Sequence, residues 1–105
     1  MSDFIVFGHW TEKGIREVKD APNRIKLTRQ KIEQSGGKMQ LYYTMGEYDF
    51  VMVVESLGDE EMVKTLLWLG SLGNVRTTTL KAWSESEGLK IIAALSNKTT
   101  SKVTI

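Results

Sequence analysis

The chain has 105 residues, 41% of them hydrophobic, which suits one small domain that buries roughly 60 to 70% of its unfolded surface around a single core. Its 14 Lys and Arg stand against 13 Asp and Glu, and a charge this near zero leaves no electrostatic footprint for nucleic acid or an anionic membrane. The lack of cysteine excludes disulfides, thiolate nucleophiles and Cys-ligated zinc, and is compatible with a reducing compartment. Met1-Ser2-Asp3-Phe4 does not open a signal peptide, and the longest apolar run, Phe50 to Val54, falls far short of the about 20 residues a membrane span needs. The expectation is a soluble, cytoplasmic protein with neither nucleic acid nor membrane as partner.

Phe4 to Trp10 is a short apolar and aromatic run, read as a first strand that the cluster Thr11-Glu12-Lys13-Gly14 stops. Residues 12 to 19 read as a separate helical turn. Asp20-Ala21-Pro22 supplies a cap-like carboxylate and a first-turn proline, and Ile25, Leu27 and Ile32 among Lys, Arg and Gln predict an amphipathic helix to about Gln34. Ser35-Gly36-Gly37 ends it. Lys38 to Thr44 and Asp49 to Glu55 predict the second and third strands, joined by the hairpin turn Thr44-Met45-Gly46-Glu47-Tyr48-Asp49, whose glycine supplies a positive φ. Leu57-Gly58 breaks the sheet. Asp59-Glu60-Glu61 then puts negative charge at a helix start, and Met62, Val63, Leu66, Leu67 and Leu69 recur at helical spacing up to Gly70.

Gly70 and Gly73 flank the next turn and are read as positive-φ positions; they lack the Gly-x-x-x-x-Gly-Lys spacing of a phosphate loop. Val75 to Trp83 predicts the fourth strand, and Ser84 to Leu95 a last helix with Ser84 and Glu87 as a capping box. On this reading residues 1–95 are one domain and 96–105 a polar tail, whose Val103-Thr104-Ile105 suits strand addition to a neighbour.

The order β-α-β-β-α-β is that of an α+β, ferredoxin-like domain, an antiparallel sheet with helices on one face. Alternation along the third strand sends Phe50, Met52 and Val54 toward the helices and Asp49, Val51, Val53 and Glu55 to the open face. The same pleat assigns Ile5, Phe7 and His9 of strand one to the open face, and Val75, Thr77, Thr79 and Lys81 of strand four as well. A β-bulge near Gly8 would reverse His9. So much mixed surface calls for a cover, and two such sheets stacked in a symmetric dimeric α/β barrel would enclose a partly polar cavity able to hold a small ligand.

The pattern Trp10-Thr11, Gly14, Lys19-Asp20, Pro22, Arg24, Gly36-Gly37, Thr44-Met45-Gly46-Glu47-Tyr48-Asp49 and Gly73-Asn74-Val75-Arg76-Thr77 resembles the GYD-domain family from about Phe4 to Ala94. The resemblance implies a ferredoxin-like dimeric α/β barrel, largely without an assigned activity. The hairpin and the Gly-Asn-Val-Arg-Thr segment are also similar to the effector-binding domain of the feast/famine transcription regulators, where the resemblance would imply amino-acid binding between subunits. This chain carries no helix-turn-helix ahead of that segment, so an effector module here would have no DNA reader of its own.

Seven residues are candidates for a ligand site: His9, Tyr48, Asp49, Glu55, Arg76, Thr77 and Thr79. Asp49 either contacts ligand or accepts backbone N–H groups at the turn, and Tyr48 either contacts ligand or packs as an aromatic anchor. Histidine is the residue type whose unperturbed pKa lies nearest neutrality, so His9 would be the general base of an enzyme; the alternative is a packed or surface strand-end histidine. With no second histidine, no metal site is expected, and nothing in the sequence calls for a cofactor. Glu55 and Lys81 suit a buried ion pair at a dimer contact or two ligand-orienting groups. Arg76 suits a bidentate clamp on a carboxylate, or a salt bridge to Asp49 or Asp59. Thr77 and Thr79 hydroxyls would orient a ligand if they faced the cavity.

The favoured reading is a non-catalytic, homo-oligomeric module that binds a small metabolite between subunits. The alternatives are a cofactor-free oxygenase or isomerase using His9, with Trp10 and Tyr42 near an aromatic substrate, and a purely structural oligomerisation protein.

Overall fold

The computed structural model describes residues 2–96; the expected tail lies outside them except for Ser96, which closes the last helix. Four strands, β1 (Ser2–Trp10), β2 (Lys38–Tyr43), β3 (Phe50–Leu57) and β4 (Val75–Ala82), form one antiparallel sheet in the order β2-β3-β1-β4. Four helices follow in chain order: α1 (Glu12–Arg16), α2 (Ala21–Gln34), α3 (Asp59–Ser71) and α4 (Glu85–Ser96), with a 3₁₀ turn at Val18–Asp20. The fold is the expected α+β, ferredoxin-like arrangement, with α2 and α3 as the crossover helices.

The core lies between those two helices and one face of the sheet. Phe4 and Val6 of β1, Met39 of β2, and Phe50, Met52 and Val54 of β3 meet Ile32 of α2 and Met62 and Leu69 of α3. The helices bury a narrower stripe than their apolar residues suggest. Leu27, Val63 and Leu67 are exposed, whereas Thr28 and Thr65 are buried. Each threonine hydroxyl donates back along its own helix, Thr28 to the Arg24 carbonyl at 2.8 Å and Thr65 to the Glu61 carbonyl at 2.9 Å. A small side chain that satisfies its own hydroxyl can thus face the sheet, and the larger leucines turn outward. Asp20 precedes α2 but caps no backbone N–H; its carboxylate accepts from Asn23 Nδ2 at 2.8 Å and lies 3.6 Å from Arg24.

Gly36 has φ +90 at the end of α2, and Gly46 has φ +114 in the hairpin, as expected of turn glycines. Gly73 likewise has φ +79, but Gly70 is ordinary helix inside α3, so the positive-φ reading fails there.

The register fixes the faces. Phe4, Val6, Gly8 and Trp10 of β1 stand opposite Lys81, Thr79, Thr77 and Val75 of β4. Directly opposite residues share a face, so these four β4 residues point toward the helices and not to the open face as the sequence suggested. Arg76, Thr78 and Leu80, opposite His9, Phe7 and Ile5, form the open face instead. Lys81 reaches Asp59 at the start of α3 at 2.9 Å, which separates it from Glu55 across the sheet and removes the expected pair. This contact holds the Asp59 carboxyl below its usual range.

The irregularity in the β1–β3 ladder falls between Ser2 and Phe4, where Ser56 has φ +59 and donates its N–H to Asp3 Oδ1 at 3.1 Å. Gly8 remains in register, and His9 keeps its open-face position.

Thr79 Oγ1 is buried on the helix face without a hydrogen-bond partner. Replacing it by an isosteric methyl removes an unsatisfied polar group, so Thr79→Val is expected to raise stability by about 1 kcal/mol. In a domain of this size that is a gain of roughly 5 °C in Tm by calorimetry. A lower Tm would mean that the hydroxyl has a partner in solution.

Candidate functional site

The face of the sheet that the described helices leave uncovered is built from complete cross-strand rows. One row runs Gln40, Val53, Ile5, Leu80 from β2 to β4, and the next Tyr42, Val51, Phe7, Thr78. Ile5, Phe7, Val51, Val53 and Leu80 thus form a contiguous apolar patch, with Lys38 and Glu55 at one end of the sheet and His9 and Arg76 at the other. Neither α2 nor α3 reaches it, because both cover the opposite face.

The hairpin turn closes over the His9 end. Thr44 N–H donates to the Asp49 carbonyl at 2.9 Å and Thr44 Oγ1 to the Tyr48 carbonyl at 2.7 Å, which shapes the turn around Gly46. Asp49 then hooks it to β1 twice: its N–H donates to the Gly8 carbonyl at 2.8 Å, and its Oδ2 accepts the Trp10 N–H at 2.8 Å. The Asp49 carboxylate is thus the acceptor of a backbone N–H, that of Trp10 on β1. Tyr48 is carried onto the open face, where its ring centroid lies 4.8 Å from both Phe7 and His9.

Of the seven candidates, the fold brings His9, Tyr48, Asp49 and Arg76 to one end of the open face. His9 and Arg76 are direct cross-strand partners. Glu55 is on the same face at the far end, opposite Lys38, while Thr77 and Thr79 face the helices. Arg76 forms neither expected salt bridge: Asp49 takes the Trp10 N–H, and Asp59 takes Lys81. No cluster of three or more metal-ligating side chains occurs among the described residues. The strand-phase reading missed Thr78 and Leu80, whose signal is hidden in a run of three threonines.

A second apolar surface belongs to α4. Trp83, just before it, and Leu89, Ile91, Ile92 and Leu95 along it are all more than half exposed. The helix start is nonetheless well made, by the expected capping box: Glu87 N–H donates to Ser84 Oγ at 3.2 Å and Ser84 N–H to Glu87 Oε1 at 3.1 Å. The Ser84 N–H, followed by its hydroxyl, keeps the Glu87 carboxyl below its usual range. Among the described residues α4 thus combines a well-capped start with an exposed apolar side. No described helix is long and apolar enough to cross a membrane.

The model of the GYD domain matches residues 4–92. The chain is also 37% identical over 84 residues to a Thermus thermophilus protein named glutamine synthetase and cystathionine beta-lyase binding protein, covering 78% of this chain and 88% of that relative.

Proposed function

The chain belongs to the GYD-domain family, and from that premise we propose that it is a non-catalytic binding module that self-associates through its open sheet face and docks on other proteins. The observation that carries this reading is the apolar patch of Ile5, Phe7, Val51, Val53 and Leu80, left bare by the chain's own helices. A second copy stacked on it, sheet to sheet about 10 Å away, would satisfy both patches at once and form the dimeric α/β barrel. His9, Arg76 and Tyr48 would then stand at the rim of the inter-subunit cavity, the place where a small polar metabolite would sit. His9 is engaged in ring packing with Tyr48, which favours a binding role over proton transfer.

The partner class follows from the Thermus relative, whose name records binding to glutamine synthetase and cystathionine beta-lyase. The exposed apolar side of α4 supplies a surface separate from the sheet, so self-association and partner docking need not compete. The test is size-exclusion chromatography with light scattering on the chain alone and mixed with each of those two enzymes from its own source organism. The expected result is a homo-oligomer that co-elutes with at least one of them. Separate elution from both enzymes at micromolar concentration overturns the docking proposal, and a monomeric chain overturns the barrel.

A further inference from the structure

Behind the sheet, on the helix side, α2 and α3 leave a cavity of about 40 Å³ near the ends of β1 and β2. Its walls are apolar, with Ile25, Leu41, Met52 and Leu69 joined by the rings of Trp10 and Phe50. Four polar residues, Arg24, Thr28, Tyr43 and Asn74, interrupt this lining; the Thr28 hydroxyl is bonded to the Arg24 carbonyl, while Arg24 Nη2 and Asn74 Oδ1 are buried without a partner. Asn74 is only 7% exposed and the Arg24 side chain 14%.

The Arg24 guanidinium and the Asn74 backbone are each held by bonds that do not use those atoms. Arg24 Nη1 donates to the Glu17 carbonyl at 3.3 Å and lies 3.6 Å from Asp20 Oδ2. The Asn74 backbone carbonyl accepts the Thr11 N–H at 3.0 Å, while Thr11 Oγ1 donates to the Gly73 carbonyl at 2.6 Å and Lys13 Nζ to the Leu72 carbonyl at 3.1 Å. The backbone of the loop carrying Asn74 is therefore tied by three bonds to Thr11 and Lys13, which places the Asn74 side chain in the cavity wall. Buried polar atoms are ordinarily paired, and an apolar pocket with a few converging, fixed polar groups is the usual form of a small-molecule site. Among the lining residues only Tyr43 is exposed, which marks the mouth.

The unused atoms define the ligand. A guanidinium N–H in apolar surroundings selects an anionic oxygen, and an amide carbonyl selects a hydrogen-bond donor. The walls accept a short hydrocarbon, and the enclosed volume takes about three water-sized groups, so a ligand of about six heavy atoms would extend into the open mouth beside Tyr43. We propose that this cavity binds a short aliphatic carboxylate bearing a neighbouring hydroxyl, the carboxylate on Arg24 Nη2 and the hydroxyl donating to Asn74 Oδ1. The site lies on the opposite side of the sheet from the self-association face, so it stands or falls independently of the barrel.

The test is an NMR titration of the ¹⁵N-labelled full chain, following the Asn74 side-chain amide, the Trp10 indole and Arg24 Nε. Three probes are compared: lactate, propionate, which lacks the hydroxyl, and lactamide, which lacks the charge. Lactate is expected to shift these signals saturably, with propionate weaker by about 3- to 10-fold and lactamide by about 10-fold or more. Arg24→Gln should lose lactate binding; should that variant fail to fold, Asn74→Asp, nearly isosteric, sets a like charge against the ligand and should lose it as well. No saturable shift with lactate up to tens of millimolar would mean that water alone fills the cavity and would overturn the proposal. Shifts centred on His9 and Tyr48 would overturn it too, as would undiminished lactate binding in a folded variant.

Discussion

Ile5→Glu is expected to abolish the proposed self-association and leave folded monomers. Ile5 stands at the middle of the open face, opposite Val53 on one side and Leu80 on the other, on the surface that the core does not use. In the free chain the carboxylate remains in contact with water, so the cost to folding is that of a poorer strand residue, within about 1 kcal/mol. In the stacked dimer the symmetry places one such charge in each sheet, both removed from water and both of the same sign. An unpaired charge in a dry contact costs several kcal/mol, so the dissociation constant should rise at least about 100-fold, since each 1.4 kcal/mol is a factor of ten. Native mass spectrometry gives the subunit number, and thermal unfolding followed by circular dichroism verifies the fold. A variant that keeps the wild-type mass would show that the sheet face is not the contact and would move the weight to α4.

The strands and helices are legible in the sequence because each carries its own local signal. The hairpin is readable from Gly46 between two apolar runs, the start of α4 from Ser84 and Glu87, and the helix-facing side of β3 from strict alternation at Phe50, Met52 and Val54. The phase of β4 is not. Thr77-Thr78-Thr79 offers the same side chain to both faces, so polarity cannot say which of them points inward, and only the pairing with β1 decides it. The helix stripes are overdrawn for a related reason. Leucine and valine outrank threonine on any hydrophobic scale, but Thr28 and Thr65 bond their own helix backbone and pack more closely, leaving Leu27, Val63 and Leu67 outside.

The candidate site is half legible. His9, Tyr48, Asp49 and Arg76 do gather at one end of the open face, since the hairpin and two strand ends converge there. Thr77, Thr79 and the Glu55–Lys81 pair fail with the β4 phase. Arg24 and Asn74 are visible only as members of a family pattern, because nothing local tells a buried, unpaired side-chain atom from a solvated one; that requires α2, α3 and the sheet to be assembled around them.

Gly14→Ala is expected to destabilise the fold by about 2 to 4 kcal/mol, although it introduces a better helix former into α1. Alanine is favoured over glycine in a helix by about 1 kcal/mol. Against this, a Cβ on Gly14 would lie 1.9 Å from the Asn74 carbonyl oxygen and 2.8 Å from its carbon, a contact with backbone that no rotamer can relieve. The carbonyl can retreat only by giving up the Thr11 N–H, and with it the Thr11 hydroxyl's bonds to Gly14 N–H and the Gly73 carbonyl are strained. Each such bond contributes about 1 kcal/mol and overpacking a further 1 to 3, so the steric term outweighs propensity. Gly70→Ala is the matched control: it lies in α3 without a positive φ and with no atom within 4 Å of the added methyl, so there propensity acts alone and a gain of up to about 1 kcal/mol is expected. Thermal unfolding of the two variants should therefore move in opposite directions, with Gly14→Ala losing roughly 10 °C or more. Equal and small shifts would mean that the β1–α1 loop yields to the methyl group. The Asn74 carbonyl would then not be the fixed point on which both that loop and the cavity wall depend.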